Sequence, residues 1–411
     1  MVRRIGLGIC CAGFTTITVA MAAPSGSRSP DRLIAHEWGT FTTVAGEDGR
    51  AIEWLPLNGP TDLPCFVEHY KNSNNVKILP TDDPRLIDYE TARSRLWGKV
   101  RMETPVLYLY GPKQTNVHVK VRFPKGLITE WYPHATSSML GVTPTILRNP
   151  MFETFLDWPT ITLGTPASDG LPTEPGKSHY YAARATEATS LQVGSQKEKF
   201  LFYRGVANFD VPLSARPNKT GDIEIRNLGA ETIPNLVLFE RRGSTFGYRV
   251  GGSLIGSVTL GAPQQNATLE ALGADLEKML MGAGLYQKEA AAMLETWRDS
   301  WFEDGVRVFY IIPPKAVDGI LPLTVSPSPA SVARVFVGRM EVLTPNVQQT
   351  VETAITRNDA ATLERYARFL GPISDRILAK PGVNAATIAA TKSATAAAFA
   401  SYVRRSSTVC E

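Results

Sequence analysis

The sequence predicts an α+β fold: an antiparallel β-sandwich-like body, a docked helical layer and a helical C-terminal region. Three observations lead to this prediction. Strand-like runs separated by turn residues recur over residues 33–262, which is typical of a sandwich. Amphipathic segments at about 267–282 and 286–303 have the apolar spacing of helices. Helical patterns also dominate the chain after Pro345.

The N-terminal residues have the pattern of a secretory signal peptide over residues 1–22. Two arginines precede an uncharged apolar run, which ends in the small-residue cleavage pattern Ala20-Met21-Ala22. Residues 23–32 are rich in proline and serine, and we expect this leader to be disordered. The sequence therefore predicts an exported protein, either periplasmic or extracellular.

The charge balance argues against two classes of partner. The 411 residues carry a formal net charge of +4, and removing residues 1–22, with two arginines and no acidic residue, lowers it to +2. A charge so near zero does not indicate a nucleic acid or an anionic membrane. No transmembrane segment is expected in the mature chain. Cys65 and Cys410 could form a disulfide in an oxidising compartment or remain free thiols.

The β-rich domain is expected to end at residue 262, before a proline. At its start, the runs LIAHEWGTFTTV and AIEWLPL flank a turn and predict a hairpin that sets Phe41 opposite Trp54. Residues 133–180 are proline-rich and weakly patterned apart from a possible strand near Thr160, so they form a functional loop or contain elements that the pattern does not show. Further strands are predicted at RMETPVLYLYG, NVHVKVRF, GLITEWYP, SHYYAARATEA, KFLFYRGV, GDIEIRNL, IPNLVLFER and FGYRVGGSLIGSVTL.

Residues 263–345 are predicted to form two helices and two apolar strands that pack on this domain. The second helix has one apolar face, made of Ala290, Met293, Leu294, Trp297 and Trp301. Its opposite face is an acidic ridge of Glu295, Asp299 and Glu303. We expect the apolar face to dock on the β body and the strands VRVFYIIP and ARVFVGRMEVL to join or cap the sheet. Residues 346–411 are predicted to be helical, with a break at Pro372.

Motifs of the familiar enzyme classes are absent from the sequence after residue 22. It contains no HExxH, CxxC, GxSxG or phosphate-loop sequence, so zinc proteases, redox enzymes, esterases and nucleotide-binding proteins have no support. The sequence therefore assigns no cofactor and no metal.

One unusual feature is a tryptophan that directly follows an acidic residue. The four doublets are Glu37-Trp38, Glu53-Trp54, Glu130-Trp131 and Asp157-Trp158. Neighbours in a strand point to opposite faces, so each doublet is predicted to bury one side chain and expose the other. One interpretation is a saccharide cleft, with indoles stacked on sugar rings and two carboxylates acting as acid and base. The alternative is a core of tryptophans with solvated acids outside.

Other candidate ligand-binding side chains stand next to aromatic residues or at strand ends. His36 and His179 could meet carboxylates there, or could be hydrogen-bonded structural histidines. Arg184 and Arg204 could clamp an anionic group, or could stack on tyrosine and pair with an acid. Glu103, in RMETP, is a candidate buried carboxylate with a raised pKa.

The acidic ridge of the second helix also admits two interpretations. It is either a solvated face with an Arg298–Glu295 pair, or a candidate site at which Glu303 and its neighbours meet Arg184, Arg204 or another cation of the β body.

The runs HEWGTFTTVAGEDGR, RMETPVLYLYG, ITEWYP, SHYYAARATEA, EKFLFYRGV, AAMLETWRDSWFEDGVRVFYIIP and RVFVGRMEVLTP together resemble a family of uncharacterised exported bacterial proteins. The resemblance covers about residues 33–345. It implies an exported bacterial protein, and it brings no activity, cofactor or catalytic residue.

Two functional hypotheses follow. The first is a binding or structural module of the cell envelope that recognises a glycan or an envelope protein through an aromatic cleft, using Trp38 and Trp131 among others. The second is a hydrolase-like enzyme with paired carboxylates, with or without a metal. The hydrolase requires that Glu37, Glu103 and Glu130 converge with the two candidate histidines in one pocket, alongside Arg184 or Arg204.

Overall fold

A computed structural model describes residues 31–60, 62–70, 89–138, 141–164, 170–175 and 178–406. The predicted signal peptide, residues 23–30 of the leader and Cys410 lie outside the described residues. Cys65 is disulfide-bonded, and its pairing with Cys410 stays a prediction. No helix in the described part of the chain combines the length and the apolar character needed to cross a membrane.

The described strands follow one another along the chain as β1 (Ile34–Val44), β2 (Glu68–His69), β3 (Val100–Tyr110), β4 (Asn116–Pro124), β5 (Gly126–Tyr132), β6 (Thr136–Ser137), β7 (Glu153–Leu163), β8 (Leu191–Val193), β9 (Gln196–Glu198), β10 (Leu201–Ala207), β11 (Leu213–Pro217), β12 (Ile223–Asn227), β13 (Ile233–Arg242), β14 (Thr245–Leu254), β15 (Ser257–Leu260), β16 (Gly305–Ile311), β17 (Leu323–Ser326) and β18 (Ser331–Glu341).

The described α-helices are α1 (Tyr89–Arg95), α2 (Leu269–Gly282), α3 (Gln287–Trp301), α4 (Pro314–Ile320), α5 (Pro345–Arg357), α6 (Ala360–Arg365), α7 (Leu370–Leu378) and α8 (Ala385–Ser406). Among the described residues, three short 3-10 helices span Ile146–Arg148, His179–Arg184 and Ala367–Phe369. The predicted α+β fold is confirmed, including the helical C-terminal region up to Ser406.

A nine-stranded central sheet organises the fold, with strand order β14-β13-β16-β18-β1-β3-β10-β5-β2. Its neighbours pair antiparallel except β1 and β18, which are parallel, so the sheet is mixed and not wholly antiparallel. The apolar strands β16 and β18 lie inside this sheet, as the sequence predicts for strands that join it. The sheet therefore continues across the predicted domain boundary at residue 262.

Two layers cover the two faces of the central sheet. On one face, α2 and α3 pack over aromatic side chains such as Tyr108, Phe202 and Phe309. The other face shares a core with a six-stranded sheet of order β17-β4-β7-β8-β9, to which β6 adds by pairing with β7. A three-stranded sheet, β11-β12-β15, belongs to this second core. This arrangement is the predicted sandwich with a docked helical layer.

Helix α3 docks through its predicted apolar face. Trp297 and Trp301 are buried and stack with their rings 6.5 Å apart and 5° from parallel, while Glu295 and Asp299 are exposed. The helix ends at Trp301, so Glu303 lies beyond it in a turn and does not belong to the predicted ridge. The tryptophans therefore pack the interface between helix and sheet.

Three local predictions are wrong. The hairpin of β1 is reduced to a single bridge between Ala45 and Ala51, because β1 pairs with β3 and β18 instead. Phe41 consequently lies opposite Met102 rather than Trp54. The segment SHYYAARATEA contains a 3-10 helix instead of a strand, begun by a hydrogen bond from the Tyr180 backbone N–H to the Ser178 side chain. By contrast, the 133–180 segment contains β6, β7 and a 3-10 helix, so its second interpretation is confirmed, and β7 covers the possible strand near Thr160.

The predicted break at Pro372 is confirmed in a modified form. The helical pattern is interrupted before the proline, by the 3-10 helix Ala367–Phe369, and Pro372 lies in the first turn of α7. A proline is tolerated there because the first backbone N–H groups of a helix have no partner inside the helix. This interruption brings the 3-10 helix against the central sheet.

Gly205, in β10, permits a close approach of β5. A Cβ atom at this position would lie 2.2 Å from the Leu127 carbonyl oxygen, at the point where the register between the two strands shifts. We expect Gly205→Ala to lower the free energy of unfolding by about 1–3 kcal/mol, because backbone atoms must move to admit the methyl group. Urea denaturation measures this loss. Gly256→Ala is the control, since nothing lies within 4 Å of its Cβ position; equal losses in both variants would contradict the steric argument.

Candidate functional site

A network of charged side chains lies in the interior of the fold, and we call it the charged belt. Its ten members are Asp62, Arg101, Glu103, Glu130, Arg204, Glu303, Arg307, Arg339, Glu341 and Arg368. Five are arginines and five are carboxylates, so their formal charges cancel. Charged residues are rarely fully buried unless they are paired, and this concentration makes the belt the candidate functional region.

Strand register brings the belt residues together. Arg101 of β3 and Arg339 of β18 both lie opposite Thr42 of β1, so the two arginines flank the same threonine. Residues that lie opposite each other on adjacent strands project from the same face of a sheet. In the same way Arg204 lies opposite Glu130, and Arg307 lies opposite Glu341.

Glu130 and Arg204 form the best-enclosed pair of the predicted site residues. The Arg204 Nη2 group donates to Glu130 Oε1 over 2.8 Å, and its Nη1 group donates to Asp62 Oδ1 over 2.8 Å. The hydroxyl groups of Tyr89 and Thr129 also donate to Glu130. Burial by itself would raise the pKa of Glu130, but Arg204 and these hydrogen bonds lower it to about 2.

A second group within the belt is a run of four ion pairs, which we call the ion-pair arc. It passes from Arg101 to Glu103 at 3.9 Å, and from Glu103 to Arg368 at 3.2 Å. It continues from Arg368 to Glu303 at 3.2 Å and from Glu303 to Arg339 at 2.9 Å. Arg368 comes from the 3-10 helix Ala367–Phe369, so the arc connects the C-terminal helical region to the central sheet.

The electrostatics of the belt favour charged carboxylates. Burial opposes ionisation of Glu103 and Glu303, yet the surrounding arginines, Arg368 first, lower the pKa of both. Glu341 differs, because burial raises its pKa in spite of Arg307 beside it. A general acid must hold its proton near neutral pH, and carboxylates with lowered pKa values do not. The raised pKa predicted for Glu103 is therefore wrong, because arginine partners outweigh its burial.

The remaining predicted catalytic and histidine residues lie elsewhere. Glu37 accepts hydrogen bonds from Arg334 Nε, at 2.6 Å, and from the Tyr203 hydroxyl. His36 Nδ1 lies 2.9 Å from a Glu289 carboxylate oxygen. His179 is half-buried, with its Nε2 atom 3.9 Å from Asp299. These side chains have different partners from Glu103 and Glu130, so the convergence that the hydrolase hypothesis requires is not found among the described residues.

Arg184 and Arg298 have the partners that we expect if these arginines are structural and do not bind a ligand. Arg184 pairs with Glu198 and lies over the rings of Tyr180 and Tyr181, at 5.5 and 4.9 Å. Arg298 pairs with Glu295 on the exposed face of α3. Glu303 does meet cations, as one interpretation of the ridge proposed, but these are Arg339 and Arg368 instead of Arg184 or Arg204.

The acid–tryptophan doublets do not form an aromatic cleft. Trp38, Trp54, Trp131 and Trp158 are all at least 95% buried. In two doublets the acid is buried as well, because Glu37 and Glu130 both have buried arginine partners. The prediction that one member of each doublet is exposed is thus wrong for these two. The Trp131 indole N–H donates to Glu68 over 2.9 Å, and Trp38 packs against Tyr108.

A small pocket of about 70 Å³ adjoins the charged belt. Trp54, Trp97 and Phe399 supply its aromatic walls. Four polar side chains also line it, namely Asn58, Arg368, Asp375 and Thr395. Trp97 is 36% exposed, whereas the six other tryptophans are at most 6% exposed. The pocket therefore presents an accessible indole beside hydrogen-bonding groups.

Sequence reasoning missed several members of the belt, including Arg101, Arg339 and Arg368. One signal was present, because the tripeptide Arg-Met-Glu occurs at residues 101–103 and again at 339–341, each time inside an apolar strand. Charged residues two apart in such a strand lie on one face and need buried partners. Arg368 carries no comparable signal, since its helical segment is amphipathic and its partners are distant in sequence.

In comparisons with protein-family models and with curated protein sequences, the chain matches neither a family model nor a curated protein. The resemblance to exported bacterial proteins therefore stays a prediction.

Proposed function

We propose that this protein is an exported envelope module that binds a glycan, and that the small pocket beside the charged belt is its binding site. The observation that carries the proposal is the exposed indole of Trp97 in a concave site. Sugar rings present C–H groups that pack on an indole and hydroxyl groups that need hydrogen-bonding partners. Asn58, Asp375 and Thr395 line the same pocket and offer such partners.

The size of the pocket supports a monosaccharide edge or a chain end as the recognised element. About 70 Å³ is too small to enclose a whole sugar ring, so most of the ligand would remain outside. A protein partner with a flat surface would not fill a recess of this kind, whereas the edge of a sugar ring could. The proposal thus keeps the glycan ligand of the first hypothesis, but it assigns the stacking role to Trp97 instead of Trp38 and Trp131.

The test is a screen of the full chain against an array of neutral and acidic oligosaccharides, followed by titration of each sugar that binds. We expect Trp97→Ala to weaken binding about tenfold, equivalent to about 1.4 kcal/mol, through the loss of ring stacking. The thermal midpoint should change little because Trp97 is partly exposed. Trp97→Phe keeps an aromatic face and should retain most of the affinity.

A matched control is Tyr286→Ala, since Tyr286 is an exposed aromatic residue, 46% accessible, that does not line the pocket. Its binding should equal that of the unchanged chain. The proposal is rejected if no sugar on the array binds, or if Trp97→Ala and Tyr286→Ala bind equally well.

A further inference from the structure

The two ends of the ion-pair arc carry buried N–H groups that lack an acceptor. Among the described residues, Arg101 Nε and both Nε and Nη1 of Arg339 have no hydrogen-bond partner. The nearest carboxylate oxygen to Arg101 Nε is that of Glu103, at 3.9 Å, which is beyond hydrogen-bond range. Arg339 is 0% exposed and Arg101 is 6% exposed.

Unpaired donors of this kind are costly. Leaving a buried polar group without a partner costs about 1–3 kcal/mol, and more when the group is charged. Native proteins pair nearly all such groups with protein atoms, water or a bound ion. Three guanidinium N–H groups at the ends of one arc are therefore a reason to expect oxygen acceptors at that place.

We propose that the ion-pair arc binds a small oxyanion of the phosphate or sulfate class between Arg101 and Arg339. Both arginines flank Thr42, one from each neighbouring strand. Adjacent strands are about 4.8 Å apart, so the two arginine Cα atoms are separated by roughly 10 Å. An oxyanion placed over Thr42 presents oxygens to both sides, and guanidinium groups bind such oxygens by short, charge-assisted hydrogen bonds.

Burial disfavours the charged forms of both arginines. It lowers the pKa of Arg101, and Glu103 beside it offsets that effect only in part. Burial likewise lowers the pKa of Arg339, and Glu303 and Glu341 offset that effect only in part. An oxyanion bound to both guanidinium groups would favour their charged forms.

The middle of the arc lies nearest to solvent. The side chains of Arg368 and Glu303 are 12% and 18% exposed. An anion bound beneath Arg368 would join the 3-10 helix Ala367–Phe369 to the central sheet. Binding should therefore stabilise the folded chain.

The experiment is thermal unfolding of the full chain with inorganic phosphate, sulfate or chloride at one ionic strength. We expect phosphate or sulfate, at concentrations well above its Kd, to raise Tm by about 2 °C, with saturation, while chloride does not. Arg101→Lys keeps the positive charge beside Glu103 but removes the Nε donor. It should bind the oxyanion about tenfold more weakly. Arg148→Lys, at an exposed pair with Glu53, is the matched control and should respond like the unchanged chain.

If Arg101→Lys fails to fold, calorimetry on the unchanged chain still tests the proposal. The chain is titrated with phosphate and, separately, with sulfate. Saturable heat of binding with one site supports it. The proposal is overturned if neither oxyanion gives a saturable signal, or if the Tm shift is the same in Arg101→Lys and Arg148→Lys. Neither Arg101 nor Arg339 lines the pocket of Trp97, although Arg368 belongs to both the pocket and the arc. The test of this site involves no sugar, so either proposal can fail alone.

Discussion

Arg204→Ala is expected to lower the free energy of unfolding at pH 7 by about 3–5 kcal/mol, because it leaves a buried carboxylate without its cation. Glu130 is 2% exposed and depends on Arg204 for its strongest ionic contact. Asp62 loses the same partner. Urea denaturation followed by circular dichroism measures the loss. Arg216→Ala is the matched control, since its pair with Glu224 is exposed and contributes little.

The Arg204–Glu130 pair should also make the stability of the folded chain depend on pH. Arg204 holds the pKa of Glu130 at about 2 in the folded chain, below its ordinary value of 4.5. The unfolded chain therefore takes up a proton first as the pH falls, and the stability that this pair contributes is lost between about pH 4.5 and 2. In Arg204→Ala, burial without the arginine raises the pKa of Glu130, so the carboxyl is neutral at pH 3.

The difference in stability between Arg204→Ala and the unchanged chain should consequently be smaller at pH 3 than at pH 7. A difference that stays constant over this range would show that the loss comes from packing and not from the unpaired charge. Glu103, Glu303 and Asp62 also have lowered pKa values, so the unchanged chain as a whole should lose stability over the acidic range.

Trp301→Ala is the second variant with a large expected effect. Trp301 is 1% exposed, stacks on Trp297 and contacts Phe309 of the central sheet, with ring centroids 5.1 Å apart. Removing so large a buried side chain should cost about 3–5 kcal/mol, because the lost contacts and the cavity both destabilise the fold. Urea denaturation provides the value, and limited proteolysis tests whether α2 and α3 become accessible first.

Trp97→Ala is the natural comparison for Trp301→Ala. It removes the same side chain from a partly exposed position, so its loss of stability should be much smaller. If the two variants unfold at the same urea concentration, the docking role of α3 is contradicted. The comparison also separates the tryptophan assigned to binding from one assigned to packing.

Much of the secondary structure was predictable because its signals are local. The face of α3 follows from an apolar spacing that any helix of this sequence must present. The buried strands β16 and β18 follow from runs of apolar residues. The wrong predictions concern segments for which several strands are possible partners. Residues 34–44 were expected to pair with the adjacent run, but β18 and β3 pair with β1 on its two sides, and all of its residues except Ile34 are buried.

The candidate site could be predicted only in part. Glu103, Glu130, Arg204 and Glu303 were identified as single residues, and all four belong to the charged belt. Their partners were not identified, because the belt depends on which strands become neighbours. Arg339 and Arg101 meet across β1 only because β18 pairs parallel with a strand 297 positions earlier. No local pattern encodes that distance.

The parallel pairing of β1 with β18 has a consequence for the order of folding. This pairing joins two blocks of strands in the central sheet. One block is formed by residues 34–207 and the other by residues 233–341. Until β18 is available, the first block ends in β1, whose backbone N–H and C=O groups face an open edge. Such edges invite pairing with other chains. The first block of strands thus keeps an open edge until β18, the last of the described strands, pairs with it. Any chaperone that acts before then would need to shield that edge.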